Sequence, residues 1–141
     1  HLRLSDANLR ARLRMSTIYS IANALNYLVV GTDNLAETFI GYFTKYGDGG
    51  VDIQPLAHLL KGEVKEWARE LGVPREVIEK APSAGLWEGQ TDEHEIGTTY
   101  DMIDKYLDGK EIPQKDKEII LKLHDSSEHK RRMPSVPPKF K

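Results

Sequence analysis

A single brief apolar run, Tyr27-Leu28-Val29-Val30-Gly31, constrains this chain more than any other segment. It is continuous rather than alternating, carries two β-branched residues, and lies between segments with helical spacing, which is the pattern of a strand buried on both faces of a parallel sheet. No second run in the 141 residues is as convincing. One strand cannot satisfy its own backbone donors and acceptors, so its sheet partners are expected from sequence beyond these residues or from another chain. The run ends in Gly31-Thr32 and opens into a polar segment with Asp33, Asn34, Glu37 and Lys45, then the turn Gly47-Asp48-Gly49-Gly50 and Asp52. An apolar strand opening in this way presents ligand groups at the carboxyl edge of an α/β sheet, so Val29 to Asp52 is the candidate site.

The segments around it read mainly as helices. Ala11, Met15, Ile18, Ala22 and Leu25 recur at three and four residues, predicting a helix from Asn8 to about Leu25 with Asp6 or Asn8 as its N-cap. Arg10, Arg12 and Arg14 fall on its other faces. Asp33 or Asn34 can cap a second helix through Leu35, Ala36, Phe39 and Ile40. Gly47, Gly49 and Gly50 permit positive φ and a close ligand approach. A third helix is predicted from Pro55 to Leu71, with Val64, Trp67, Ala68 and Leu71 on its buried face and Gly72 just past its end. Pro74 begins a short helix, Arg75 to Lys80. Residues 81–90 have no periodicity and read as a long loop, of the kind that binds something or moves. Thr91 or Asp92 starts a helical stretch through Tyr100, Ile103, Asp104 and Leu107, stopped by Asp108-Gly109. Pro113 opens the last helix, through Ile119, Ile120 and Leu123, and a basic end leads to an extended tail over 133–141.

Composition removes several classes of function. The absence of cysteine excludes disulfides, thiolate metal sites and cysteine nucleophiles. With a formal net charge of −2, no global field favours nucleic acid or an anionic membrane, and the basic end lacks interleaved aromatics. No run approaches membrane-spanning length, and a cytoplasmic protein is the default expectation. The chain begins with His1, without a signal-peptide pattern, which suggests a piece of something longer. His58 and His124 have no partners at metal spacing and read as surface or cap residues. Trp67 reads as core, Trp87 as a packing anchor or lid contact, and Asp92, Glu93 and Glu95 as a solvated helix start.

Several ordered motifs together resemble one family. These are Ala11-Arg12-Leu13-Arg14-Met15, Val30-Gly31-Thr32, Glu37, the run from Phe43 to Ile53, Lys61, Lys80-Ala81-Pro82-Ser83-Ala84, Asp92-Glu93, Gly97, Tyr100, Asp104 and Glu128-His129-Lys130-Arg131-Arg132. The chain resembles the ATP-dependent synthetase domain of NAD synthetases, over essentially its whole length. The resemblance implies an α/β fold of the adenine-nucleotide α-hydrolase type, a Rossmann-like parallel sheet flanked by helices, to which this chain adds mainly helices and about one strand. It implies NAD biosynthesis: ATP adenylates the nicotinate carboxylate of deamido-NAD, ammonia displaces AMP, and pyrophosphate leaves. By motif, Thr32, Lys61 and Ser83 would contact ATP, Glu37 would ligate Mg2+, and Arg12, Lys45, Asp52, His129 and Lys130 would contact deamido-NAD at a site shared between the subunits of a homodimer. No residue is assigned as the acid or base. Cations and hydroxyls suit phosphate oxygens, and a carboxylate suits a hard cation.

The family's Ser-Gly-Gly-x-Asp-Ser phosphate loop is absent from these residues. Residues 1–141 are therefore expected to be the C-terminal part of one synthetase domain, inactive by itself. The alternative is an inactive nucleotide-binding or assembly fragment. Whether ammonia is supplied free or from glutamine is not legible here.

Overall fold

Asn34 sets the frame from which the site projects. Its side chain accepts from the Glu37 backbone N–H at 3.1 Å, and the Glu37 carboxylate accepts from the Asn34 backbone N–H at 3.0 Å. This reciprocal box satisfies two donors that a helix start leaves unpaired. It opens α2 (Leu35–Ile40), which stops at Gly41 in the left-handed region at φ 69°. The computed structural model describes residues 2–140. Besides α2, its helices are α1 (Leu2–Leu25), α3 (Lys61–Glu70), α4 (Arg75–Glu79), α5 (Asp92–Ile96), α6 (Tyr100–Leu107) and α7 (Gln114–Ser126), followed by a 3-10 turn at Glu128–Lys130.

The core is built from the later helices. Ala36 and Ile40 of α2, Ile96 of α5, Tyr100 and Ile103 of α6 and Ile120 of α7 are buried together, with Phe39, Tyr42, Tyr106, Leu107, Ile112 and Leu123 packed around them. α2 packs on α6 and α7, and α3 packs on α6. The last of these contacts is fixed by Asp104, whose carboxylate accepts from the backbone N–H groups of Lys61 at 3.1 Å and Gly62 at 2.8 Å. An α6 side chain thus satisfies two donors at the start of α3, and an anion there suits the exposed N–H groups.

α1 stands apart from this core. Only Ala7 and Ala22 of α1 are buried, and Leu2, Leu4, Leu9, Leu13, Ile18, Ile21 and Leu25 are exposed. It rests on the segment 44–52 instead. Arg12 Nε donates to the Lys45 carbonyl at 3.2 Å, Thr44 Oγ1 donates to Asn8 Oδ1 at 2.8 Å, and Tyr19 OH donates to Asp52 at 3.1 Å. α1 begins earlier than its spacing predicts and runs straight through Asp6 and Asn8, so neither is an N-cap.

Other expectations are also corrected. The run 27–31 forms no strand; it makes one parallel bridge, Val30 to Ile53, with Gly31 N–H donating to Ile53 O at 2.8 Å. Val29 alone of its large side chains is buried, while Tyr27, Leu28 and Val30 stay open, so no sheet is formed among the described residues. The glycine turn does not use positive φ at Gly47, Gly49 or Gly50; the left-handed residue there is Tyr46 at φ 63°. Glycine is required for room: a Cβ on Gly47 would lie 2.8 Å from Thr44 Cβ and 3.0 Å from Ala11 Cβ of α1. Residues 55–59 form turns rather than the first part of α3, and Trp67 and Leu71 face outward, which overturns the core reading of Trp67. The stretch 91–107 breaks at Gly97, φ 85°, into α5 and α6, with Thr99 capping the latter. His124 is neither a free surface group nor a cap: its ring stacks on Phe39 at 4.1 Å and its Nδ1 meets Phe39 O at 2.8 Å. Residues 81–90 are a loop as expected, and 133–140 have no regular structure, with Lys141 outside the described residues.

Candidate functional site

Two adjoining cavities flank the segment from Thr32 to Asp48. The first, about 650 Å³, lies between α1, the glycine turn and the loop 81–90, and its walls include Arg14, Met15, Phe43, Trp87 and Lys130. The second, about 520 Å³, is walled by Thr32, Glu37, Lys61 and Ser83 together with apolar residues of α3 and α4. Thr32, Tyr42, Asp48 and Ala84 line both. The four residues expected on the ATP and magnesium side therefore share one cavity.

The centre of that cavity is an ion pair. Lys61 Nζ lies 2.7 Å from Glu37 Oε1, with both side chains largely buried. The same ammonium sits 4.7 Å over the Tyr100 ring, a cation–π contact that further orients it. α2 delivers Glu37 through its capping box and α3 delivers Lys61 through Asp104, so each charge is positioned by a helix start. Burial raises the Asp104 carboxyl above its usual range, against the opposing backbone N–H bonds from Gly62 and Lys61.

A polar network connects this pair to the loop. Tyr100 OH donates to Asp92 at 3.1 Å and lies 3.5 Å from Glu37 Oε1. Tyr42 OH meets Glu95 at 2.7 Å and Asp92 at 3.2 Å, and Gln90 donates to Glu95 at 2.6 Å. Desolvation, reinforced by the neighbouring carboxylates, keeps both tyrosines protonated far above the usual phenol range. Asp92 is buried, and burial also raises its carboxyl. Its backbone N–H donates to Pro82 O, next to Ser83. The reading of Asp92 as a solvated helix start is thus corrected. Of its partners, Tyr100 falls in a helical pattern like an ordinary core aromatic and Tyr42 lies just past the end of α2, so spacing carries no signal for either. Trp87 lies in the first cavity wall, with Arg3 of α1 5.7 Å from its ring centroid, and Arg10 donates to Leu86 O at 2.7 Å.

The residues expected on the dinucleotide side are only partly gathered. Arg12, Lys45 and His129 form a chain, since Lys45 Nζ donates to the His129 carbonyl at 2.5 Å and Arg12 to the Lys45 carbonyl. Lys130 reaches the first cavity, but its ammonium donates to Gly41 O at 2.8 Å and Phe43 O at 2.7 Å, and burial lowers its pKa. Asp52 is held separately, accepting from Val29 N–H at 2.8 Å and from Tyr19 OH. These bonds fix Lys130 and Asp52 to the scaffold and leave the outward faces of Arg12 and His129 exposed.

A family profile described as NAD synthase matches residues 2–134. The chain belongs to the NAD synthase family. An NH(3)-dependent NAD(+) synthetase of Alkaliphilus metalliredigens is 70% identical over 136 residues, covering 96% of this chain and 55% of that protein. Its counterpart in Mesoplasma florum is 57% identical over 139 residues, covering 99% of this chain and 57% of its own length. The chain spans about half the length of the curated NAD synthetases it matches. Among solved structures, an NMN synthetase from Francisella tularensis superposes with a TM-score of 0.94 at 48% identity, covering 98% of this chain and 58% of that one. An NAD+ synthetase from Burkholderia pseudomallei gives 0.68 at 42% identity, covering 91% and 48%. No helix among the described residues is long and apolar enough to cross a membrane.

Proposed function

We propose that these residues form the C-terminal part of a cytoplasmic, homodimeric NAD synthase that amidates deamido-NAD with ATP and ammonia. The observation that carries this reading is the Lys61–Glu37 pair, 2.7 Å apart in the wall of a cavity that also includes Thr32 and Ser83. A cation and two hydroxyls around one concavity suit the phosphate oxygens of ATP. Lys61 offsets the charge that builds on the departing pyrophosphate, and Thr32 and Ser83 orient it. Arg12, Lys45, Asp52, His129 and Lys130 serve the dinucleotide, with Arg12 and His129 as the more exposed contacts, Lys130 in the wall of the first cavity and Asp52 tied to Val29 and Tyr19.

Magnesium fits one residue of this site. Glu37 Oε1 accepts from Lys61 and Oε2 from the Asn34 N–H, and no group of three or more metal-ligating side chains occurs among the described residues. One carboxylate is nevertheless the donor set expected of Mg2+, which is held through one or two carboxylates, waters and substrate phosphates. Glu37 would hold it, and its chemistry would be charge neutralisation on the phosphates.

The test is NAD formation from deamido-NAD, ATP, Mg2+ and ammonium by the complete synthetase containing these residues. Absence of AMP and NAD would sink the reading. A second reading rests on the 0.94 superposition with an NMN synthetase: the amidated substrate is the mononucleotide. Turnover compared on nicotinate mononucleotide and deamido-NAD separates the two. The 141 residues alone should give no product.

A further inference from the structure

Two lysines of the second cavity have neither a partner nor an assigned role. Lys65 lies one turn beyond Lys61 on the same face of α3, and Lys80 follows α4 where the chain turns toward Ser83. Both line the cavity together with Thr32, Lys61 and Ser83. Lys65 is half-buried and Lys80 exposed. Neither ammonium forms an ion pair or a cation–π contact among the described residues. A lysine is rarely drawn partly out of water without a counter-charge, so the Lys65 position calls for an anion.

Charge within the cavity is divided. Asp33, whose Oδ2 has no hydrogen-bond partner among the described residues, feels Asp48, Glu37 and Lys61, and Asp92 feels Lys61 and Glu37. Lys61 is thus the cation of the carboxylate group, and Glu37 at 2.7 Å balances it. Lys65 and Lys80 keep their charge for something else. The backbone at the start of α3 offers an anion nothing, because Asp104 accepts from Lys61 and Gly62 N–H and Glu63 accepts from Leu60 N–H. Side chains must therefore hold it. Ser83 Oγ accepts from Gly85 N–H at 3.1 Å, which leaves its own hydrogen free to donate. Two ammonium groups and a hydroxyl suit an anion with several oxygens, each accepting a charge-assisted bond. Four-residue spacing sets the Lys61 and Lys65 Cβ atoms about 5–6 Å apart, so one extended anion reaches both.

We propose, resting on the synthetase reading above, that Lys65 and Lys80 form a cationic subsite that takes the pyrophosphate end of the nucleotide and holds it as it departs. In the activation step a carboxylate oxygen of the substrate bonds to the α-phosphorus, and the bond from that phosphorus to the bridging oxygen breaks. The bridging oxygen leaves with the electron pair, no proton moves, and the added charge lies on pyrophosphate. Lys61, shared with Glu37, acts where the bond breaks, and Lys65 and Lys80 bind the released anion.

The test uses the complete synthetase, unaltered and as Lys65→Met, Lys65→Arg and Lys80→Met, with inorganic pyrophosphate as the probe. The first readout is deamido-NAD-dependent exchange of labelled pyrophosphate into ATP, measured against pyrophosphate concentration. The second is NAD formation against deamido-NAD and against ammonium, at constant ionic strength. In Lys65→Met the half-saturating pyrophosphate is expected to rise at least about tenfold, the loss of one charge-assisted contact, while KM for deamido-NAD and for ammonium stays within about twofold. Lys65→Arg keeps the charge and should recover most of that loss. Lys80→Met, at an exposed position, should move the same value in the same direction by about threefold, and it decides alone if Lys65→Met does not fold. An unchanged half-saturating pyrophosphate in either methionine variant overturns the proposal. A parallel rise in every KM also overturns it, because that is the mark of a weakened fold. If the unaltered enzyme shows no exchange, the synthetase reading itself fails, whereas exchange indifferent to both lysines removes the subsite alone.

Discussion

Two carboxylates four residues apart, Asp33 and Glu37, have opposite circumstances although both line one cavity. Glu37 is paired with Lys61 at 2.7 Å, whereas Asp33 has no partner, and burial together with the Asp48 and Glu37 charges pushes its carboxyl up to about 7. The unfolded chain releases this proton near the ordinary carboxylate range, so between about pH 4 and pH 7 the folded state binds more protons than the unfolded one. This contribution to stability therefore falls as the pH rises through that window. Asp33→Asn should raise stability by roughly 1–3 kcal/mol at pH 7.5 and by almost nothing near pH 4, as urea unfolding at the two pH values would reveal. An equal effect at both would rule out a buried charge as the cause. For Lys61→Ala the expected loss is at least about a hundredfold in kcat, the scale of one transition-state contact, and normal turnover across the accessible ATP range would remove Lys61 from the phosphate site.

Among the elements, α2 was the most readable and the segment before it the least. Asn34 followed three residues later by Glu37 is a capping box that can be seen in the sequence, and Gly72 likewise marks the end of α3 at φ 73°. The apolar run 27–31 looked like a strand because propensity reports what a segment suits, while a strand exists only when a neighbour accepts its hydrogen bonds. Ile53 supplies one bridge and no more. Trp67 was misread for a related reason: helical spacing identifies a face, and only packing says what covers it. Thr32, Glu37, Lys61 and Ser83, expected on the ATP and magnesium side through motif resemblance, share a cavity. Asp33 and Asp92 were visible in the acidic cluster and the motifs, but their burial, and the bonds of Asp92 to Tyr42 and Tyr100, were not, since no local pattern encodes long-range contacts. The contact of α1 with the glycine turn can be tested directly. Gly47→Ala drives a methyl into Thr44 and Ala11, so a loss of about 1–3 kcal/mol is expected from the urea midpoint. Gly85→Ala, with nothing within 4 Å, should cost only its backbone strain at φ 63°, about 1 kcal/mol.

For the molecule as a whole, the uneven distribution of apolar surface is the main fact. The core gathers α2, α5, α6 and α7, while α1 and the run after it expose ten large apolar side chains, Leu2, Leu4, Leu9, Leu13, Ile18, Ile21, Leu25, Tyr27, Leu28 and Val30. Apolar surface on this scale is usually an interface. The isolated 141 residues are expected to associate, with sedimentation equilibrium giving a mass above 16.0 kDa that falls toward it in Leu13→Glu. A monomer at all concentrations would contradict this.

Arg131 gives the molecule a further property. Its guanidinium donates to Phe39 O in α2 at 3.0 Å, to His124 O in α7 at 2.5 Å and to Ser127 Oγ at 2.8 Å, while Lys130 holds Gly41 O just beyond α2. Two helices thus bring their carbonyl-bearing, negative poles to one point, and two adjacent cations neutralise both. The segment after α7 acts as a charge clamp: cutting the chain after Ser127 would leave two like poles facing each other beside the first cavity.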